Sequence, residues 1–295
     1  MDAGSCIQFV HMPLPDLEQK KKARAFLAMH CGGDPLLLPN VWDVASARIV
    51  EEAGFPALAT TSAGVAFSLG YPDGQKIHKD RMMAAVARIA QAVKVPVSAD
   101  LESGYGSDPD GAAKTARAMI VSGAIGINLE DATGDPERPL LDLSLQLEKI
   151  RAIRSAADKL DVALVINART DVYLLQVGEP SSRYEETIRR LNAYRDAGAD
   201  CVFAPGLKDV TTIKRLVADL KCPVNILAGP GSPSVQELQA LGVARVSLGS
   251  GPMRAALGTL RRIAEELKTS GTYELLADAP TYSDMNQLLK TEAES

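Results

Sequence analysis

Eight short runs rich in Val, Ile, Leu and Ala, at residues 36–39, 57–60, 96–99, 125–129, 163–168, 201–204, 223–227 and 245–248, alternate along this chain with longer segments of helical period. Near-continuous apolarity over so few residues is what a strand covered on both faces requires. Strand followed by helix, repeated, predicts a parallel sheet built from βα units. Eight such units are the number that closes, so the expected fold is α/β, a (β/α)8 barrel of the TIM type.

The punctuation agrees. Gly54, Gly123, Gly198 and Gly242 each stand between a helical segment and a strand, where a left-handed residue ends the helix. Asp108-Pro109, Asp142 and Ser232-Pro233 read as helix starts, a capping side chain ahead of the first turn. Asp43, after Trp42, reads most simply as another N-cap. Residues 16–30 predict an extra helix before the first strand and residues 253–268 the helix after the eighth. The chain therefore reads as one domain over 1–295, with a barrel at about 34–270 and a tail at 271–295. That tail carries Tyr273, Leu275, Leu276, Tyr282, Met285, Leu288 and Leu289, too many apolar groups for a solvated segment, and is expected to dock on another surface.

Composition excludes several classes of partner. Lys+Arg 32 against Asp+Glu 37 gives a net charge of −5 with no basic block, and aromatics are only 4% of the residues, which argues against nucleic acid and anionic membranes. Cys6, Cys31, Cys201 and Cys222 form no CxxC pair and have no histidine at ligand spacing, so neither a zinc site nor a disulfide framework is signalled. With no leader and no spanning stretch, the expected location is cytoplasmic.

In a barrel of this kind the active site is built where the strands end at their carboxyl side. Those positions hold Asn40 and Asp43, then Thr60, Thr61 and Ser62, then Asp100 and Glu102, Glu130 and Asp131, Arg169 and Asp171, Asn225, and finally Ser247, Gly249 and Ser250. Asp100, Glu102 and Glu130 converge without His or Cys, a hard oxygen-donor set suited to Mg²⁺ or Mn²⁺. Any one of them alone could equally cap a helix or pair with an arginine. Arg169 can grip a substrate carboxylate in two places, or neutralise Asp171 or Glu130. His11, His30 and His78 all lie away from the strand ends, which argues against a catalytic histidine.

At these residues the sequence resembles the isocitrate lyase/phosphoenolpyruvate mutase superfamily, over most of the chain. The run Ala99-Asp100-Leu101-Glu102-Ser103-Gly104-Tyr105-Gly106 is similar to that family's Asp-x-Asp-Thr-Gly-Tyr/Phe-Gly motif, with Glu102 replacing the second Asp. Asn128-Leu129-Glu130-Asp131 and Ala168-Arg169-Thr170-Asp171 resemble its Ile-Glu-Asp and Ala-Arg-Thr-Asp. The resemblance implies that Asp100 binds Mg²⁺, that Glu102 and Glu130 hold it through water, and that Arg169 and Asn225 orient substrate. It further implies that Thr61, Ser62 and Ala63 form the turn receiving the substrate carboxylate, and that Asp73 polarises the site. Asp73, Glu130 and Arg169 are thus the expected catalytic groups. Family members usually assemble as tetramers, or form dimers, whose C-terminal helices cross to a neighbouring barrel, which would give the apolar tail its place.

One departure bears on the reaction. The lyases of the family carry a loop cysteine used in acid/base catalysis, whereas residues 131–139 here contain no Cys, Lys or His. Cleaving a 2-hydroxy acid needs a base for the hydroxyl and an acid for the departing carbanion, while a 2-oxo acid already has its electron sink at C2. The expected activity is therefore a Mg²⁺-dependent lyase or decarboxylase acting on a small 2-oxo (or 2-hydroxy) carboxylate through a pyruvate enolate. Two alternatives stand beside it. One is P–C chemistry of the phosphoenolpyruvate mutase or phosphonopyruvate hydrolase type, with Gly229-Pro230-Gly231-Ser232 and Gly249-Ser250-Gly251 as phosphate cradles. The other is a catalytically silent barrel that binds a 2-oxo acid.

Overall fold

All eight apolar runs are strands in the computed structural model, which describes residues 14–290; Cys6, His11 and the last residues of the tail lie outside the described residues. The first run is split at Pro39, which has no N–H to give to a ladder, into β1 (Leu36–Leu38) and β2 (Asn40–Val41). There follow β3 (Leu58–Thr60), β4 (Val97–Asp100), β5 (Gly126–Glu130), β6 (Val165–Arg169), β7 (Cys201–Phe203), β8 (Val224–Leu227) and β9 (Arg245–Ser247). Every pairing is parallel, β1 bonds to β9, and β2 bonds to β3, so the split strand closes the ring. The fold is the expected α/β barrel of TIM type.

Among the described residues eleven α-helices accompany the strands. α1 (Leu17–Ala28) precedes the barrel, and its Phe26 plugs the amino-terminal end: a Cβ on Gly126 would stand 2.7 Å from the Phe26 ring. α2 (Val44–Glu52) starts at Asp43, whose carboxylate accepts from Ser46 N while Ser46 Oγ accepts from Asp43 N, so the N-cap reading holds. α3 (Ser62–Ser68) and α4 (Lys79–Ala92) both lie between β3 and β4. α5 (Pro109–Val121) is capped by Asp108, which accepts from Gly111 N at 2.7 Å. α6 (Leu143–Lys159), α7 (Arg183–Asp196), α8 (Val210–Leu220) and α9 (Val235–Ala240) complete the outer layer.

Two expected helix starts differ. Asp142 precedes α6 but makes no side-chain cap. Before α9 the cap is Ser234 and not Ser232, because Ser234 and Glu237 satisfy each other's backbone N–H in a capping box that Ser232 has no partner to form. The four inter-element glycines all have positive φ, from 80° to 113°. Gly106 is required for another reason: a Cβ there would meet the Gly111 backbone at 2.7 Å, so only glycine lets the loop after β4 lie on the start of α5.

α10 (Gly251–Thr269) and α11 (Tyr282–Leu289) follow β9, and α11 lies against α2. The tail therefore finds part of its support on its own barrel. Even so Leu257, Leu260, Leu267, Tyr273, Leu275, Leu276 and Leu289 stay exposed, with Tyr282 88% exposed. No helix among the described residues is long and apolar enough to cross a membrane. We propose that this apolar strip meets a second copy of the chain. Deleting the residues after Gly271 is expected to lower the oligomer seen by sedimentation or light scattering, and an unchanged, equally soluble assembly would refute the proposal.

Candidate active site

The carboxyl-terminal rim of the barrel is built around two clusters of side chains. The first centres on Asp100 at the end of β4. Its Oδ2 accepts from Ser62 N at 3.1 Å and Ser62 Oγ at 2.9 Å, and its own backbone N–H donates to Thr60 Oγ1 at 3.0 Å. Ser62 Oγ also lies 3.4 Å from Asp73 Oδ1, so β3, β4 and the loop after α3 meet on one hydroxyl. Thr61 caps α3 by accepting from Gly64 N, and a Cβ on Gly64 would collide with Thr61 at 2.6 Å and Trp42 at 3.0 Å. The Ala63 N–H donates to no protein acceptor among the described residues, leaving a backbone donor at this turn.

Glu102 is 3% exposed and sits at φ 50°, a left-handed conformation, and its backbone N–H donates to Asp100 Oδ1 at 3.4 Å. Its carboxylate accepts from Tyr105 Oη at 2.6 Å and from Gln75 N. Burial raises its pKa to about 7, and the charges of Asp100 and Asp73 add to this against the two hydrogen bonds. Asp73 is also raised, through lost hydration and the nearby Asp100.

The second cluster belongs to Arg169 at the end of β6. Its guanidinium grips Asp171 bidentately, at 2.6 and 2.9 Å, reaches Glu130 Oε2 at 2.9 Å, and stacks over the Phe203 ring at 5.8 Å. Burial and the surrounding carboxylates push Glu130 up despite Arg169. Behind this pair stands Asp131, wholly buried, whose carboxylate accepts from Thr170 Oγ1, Asp171 N, Arg190 Nη1 and Tyr194 Oη at 2.6–3.1 Å. Asn225 lies within β8, in register with Phe203 and wholly buried, its Nδ2 donating to Ser247 Oγ at 3.1 Å.

The rim thus brings Thr61, Ser62, Asp73 and Asp100 together on one side and Glu130, Arg169 and Asp171 on the other, with Glu102 linked to the first. Among the described residues no three His, Cys, Asp or Glu side chains close into a metal cage. Mg²⁺ does not need one, since it keeps most of its water and takes one or two carboxylates. The rim is all oxygen, and burial together with the neighbouring carboxylates raises the pKa of Glu102 and Glu130, so a divalent ion there would favour their charged forms. Asp100, Glu102 and Glu130 are the carboxylates at this rim that could hold such an ion.

Residues 131–139 fold back on themselves, Thr133 N donating to Pro139 O at 3.0 Å and Leu141 N to Asp131 O at 2.8 Å. The two glycine turns are partly satisfied: Leu248 N and Gly249 N both donate to Asn40 Oδ1 at 2.8 Å, and Gly229 N donates to Ser232 Oγ at 3.1 Å. Tyr105 and Gln75, which hold Glu102, and the Asp131–Arg190–Tyr194 brace were not expected. The signal for Tyr105 was its place three residues after Glu102 in a glycine-flanked turn; Gln75, Arg190 and Tyr194 are brought in only by tertiary packing.

Three comparisons bear on the site. The profile of the family described as phosphoenolpyruvate phosphomutase matches residues 26–268. Among solved structures, a candidate lyase/mutase of Burkholderia cenocepacia J2315 superposes with a TM-score of 0.88 at 40% identity, covering 93% of this chain and 98% of that one. The 2-methylisocitrate lyase of Escherichia coli (strain K12) is 27% identical over 91% of both chains. Oxaloacetate decarboxylase 2 of Pseudomonas fluorescens (strain Pf0-1) is 28% identical over 79% of this chain and 80% of its own.

The raised Glu102 pKa has a stability consequence. Between its unfolded value of about 4.5 and its folded value of about 7 the native state holds the extra proton, so this group's contribution to stability falls as pH rises through that window. His30, buried and lowered to about 4, acts in the opposite sense below 6.5, so the informative quantity is the difference between two proteins. In metal-free buffer Glu102→Gln should gain thermal stability relative to the parent as pH goes from 5 to 8. A constant difference across that range would show that Glu102 is not perturbed.

Proposed function

The chain belongs to the phosphoenolpyruvate phosphomutase family of the isocitrate lyase/phosphoenolpyruvate mutase superfamily, and from that premise we propose that it is a Mg²⁺-dependent carbon–carbon lyase or decarboxylase acting on a small 2-oxo carboxylate such as oxaloacetate. The observation that carries the reading is an acid-rich rim with a fixed arginine and no His, Cys or Lys on residues 131–139. Such a rim holds charge and anions well, while residues 131–139 bring no His, Cys or Lys to carry a proton to or from a 2-hydroxy acid.

In this reading the Thr61-Ser62-Ala63 turn receives the substrate carboxylate, and Arg169 opens its bond to Glu130 to bind it while Asp171 keeps the guanidinium in place. Asn225 orients the substrate from β8, and Asp73, sharing Ser62 with Asp100, fixes the polarity of that hydroxyl. When oxaloacetate reacts, the C3–C4 bond breaks, its electron pair passes to the C2 oxygen, and carbon dioxide leaves; protonation at C3 then gives pyruvate. Bound Mg²⁺ would supply the positive charge that stabilises the C2 oxygen as that bond breaks. The phosphoryl alternative draws less support, because one N–H of each glycine turn, Gly229 N and Gly249 N, already donates to Ser232 and Asn40.

Purified protein with Mg²⁺ should release pyruvate from oxaloacetate above the free-metal background and cleave isocitrate at least roughly a hundredfold less efficiently, the scale of general acid–base help. Asp100→Ala should abolish both turnover and the Mg²⁺-dependent rise in melting temperature, and Arg169→Ala should raise KM or abolish activity. Efficient isocitrate cleavage, or a wild-type Mg²⁺ shift in Asp100→Ala, would overturn the assignment.

A further inference from the structure

Arg245, the first residue of β9, is wholly buried inside the barrel. Its Nη2 crosses the interior to Asn128 Oδ1 on β5, the opposite strand of the ring, at 3.2 Å. Asn128 Oδ1 also accepts from Asn167 Nδ2 at 2.8 Å, so one amide oxygen ties β5, β6 and β9. No other protein group among the described residues bonds the guanidinium: Nε and Nη1 have no protein partner there, and no carboxylate forms an ion pair with it. Asn167 Oδ1, Asn225 Oδ1 and Ser98 Oγ are likewise buried without partners in that interior.

A buried cation without a counter-ion is costly, and hydrophobic side chains of the same size would fill the space more stably. Its place makes the charge useful. Asn128 is the register partner of Asp100, and Asn225 is the register partner of Arg245 itself. The guanidinium therefore bonds the strand neighbour of the expected metal-binding carboxylate, and the backbone of the arginine pairs with that of the expected substrate-orienting residue. Burial lowers its pKa to about 10, which still leaves it charged at neutral pH, and Asp100 is the carboxylate whose field supports that charge.

We propose that Arg245 is a specificity-determining charge: a fixed cation beneath the rim that favours doubly charged carboxylate ligands and moderates the affinity of the rim for a divalent cation. The proposal rests on the metal and 2-oxo acid reading above. It predicts opposite shifts for ligands of opposite sign, since a point charge in a poorly screened interior repels one and attracts the other. A purely structural residue would weaken both.

Isothermal titration of Mg²⁺ alone, and of oxalate in saturating Mg²⁺, should be compared between the parent and Arg245→Gln. Roughly tenfold tighter Mg²⁺ and roughly tenfold weaker oxalate are expected for one unit charge removed from a poorly screened interior. Arg245→Lys, which keeps the charge, should restore both affinities toward the parent. If Arg245→Gln does not fold, Asn128→Asp leaves the guanidinium in place, supplies it with a counter-charge, and should shift both ligands in the same directions. Both affinities weakened, or both unchanged, would overturn the proposal alone. A parent protein that binds neither Mg²⁺ nor oxalate would overturn the reading of the site together with it.

Discussion

The carboxylate of Asp131 is the interaction on which the rim depends. It receives four donors, from Thr170, Asp171, Arg190 and Tyr194, and so fastens the ends of β5 and β6 to α7. Hydrogen bonds to a buried charge are worth more than neutral ones, and removing one partner strands the other. Through Asp171 N this anchor fixes the Asp171 carboxylate, and through that carboxylate the plane of Arg169. An arginine side chain left to itself samples many rotamers, and ordering it on binding would cost affinity. Here the ordering is already done by residues that need not touch a ligand.

The ring of strands was legible because burial on both faces forces an apolar run, and the acids at the strand ends were legible because the barrel exposes that end to solvent. The contents of the interior were harder to read. Judging runs by mean apolarity hides Asn128, Asn167 and Arg245, each a single polar residue between apolar neighbours. Side chains alternate across a strand, so reading parity rather than average would have set these three on the inward row. The direction of Glu102 was not legible at all. It follows from a left-handed backbone at Glu102 and again at Tyr105, at φ 50° and 52°, which neither residue type signals.

A polar barrel interior trades stability for electrostatics. In the usual barrel the inward layers are branched aliphatic side chains. Here Leu36 and Leu38 of β1 keep that character on one side, while β4, β5, β6, β8 and β9 turn Ser98, Asn128, Asn167, Asn225 and Arg245 inward. The apolar core is displaced outward, between strands and helices, where Ile127, Leu129, Ile150, Ile153 and Leu191 pack. Stability is thereby carried by the outer layer, and the interior is free to hold charge.

That division bears on what the rim can do. Asp73, Asp100, Glu102, Glu130 and Asp171 outnumber Arg169, and burial raises several of them together. An excess of carboxylates answered by one fixed guanidinium cannot by itself hold a dianion, because the repulsion would exceed the single pairing. A divalent cation would reverse the balance on one face of the site and would leave Arg169 free for a second carboxylate. The neighbouring residues 131–139 are tied back by Thr133 and Leu141 and bring only carboxylates and Arg138 to the rim. A rim rich in charge beside a loop without His, Cys or Lys would suit a substrate whose own carbonyl can accept the electron pair of the breaking bond.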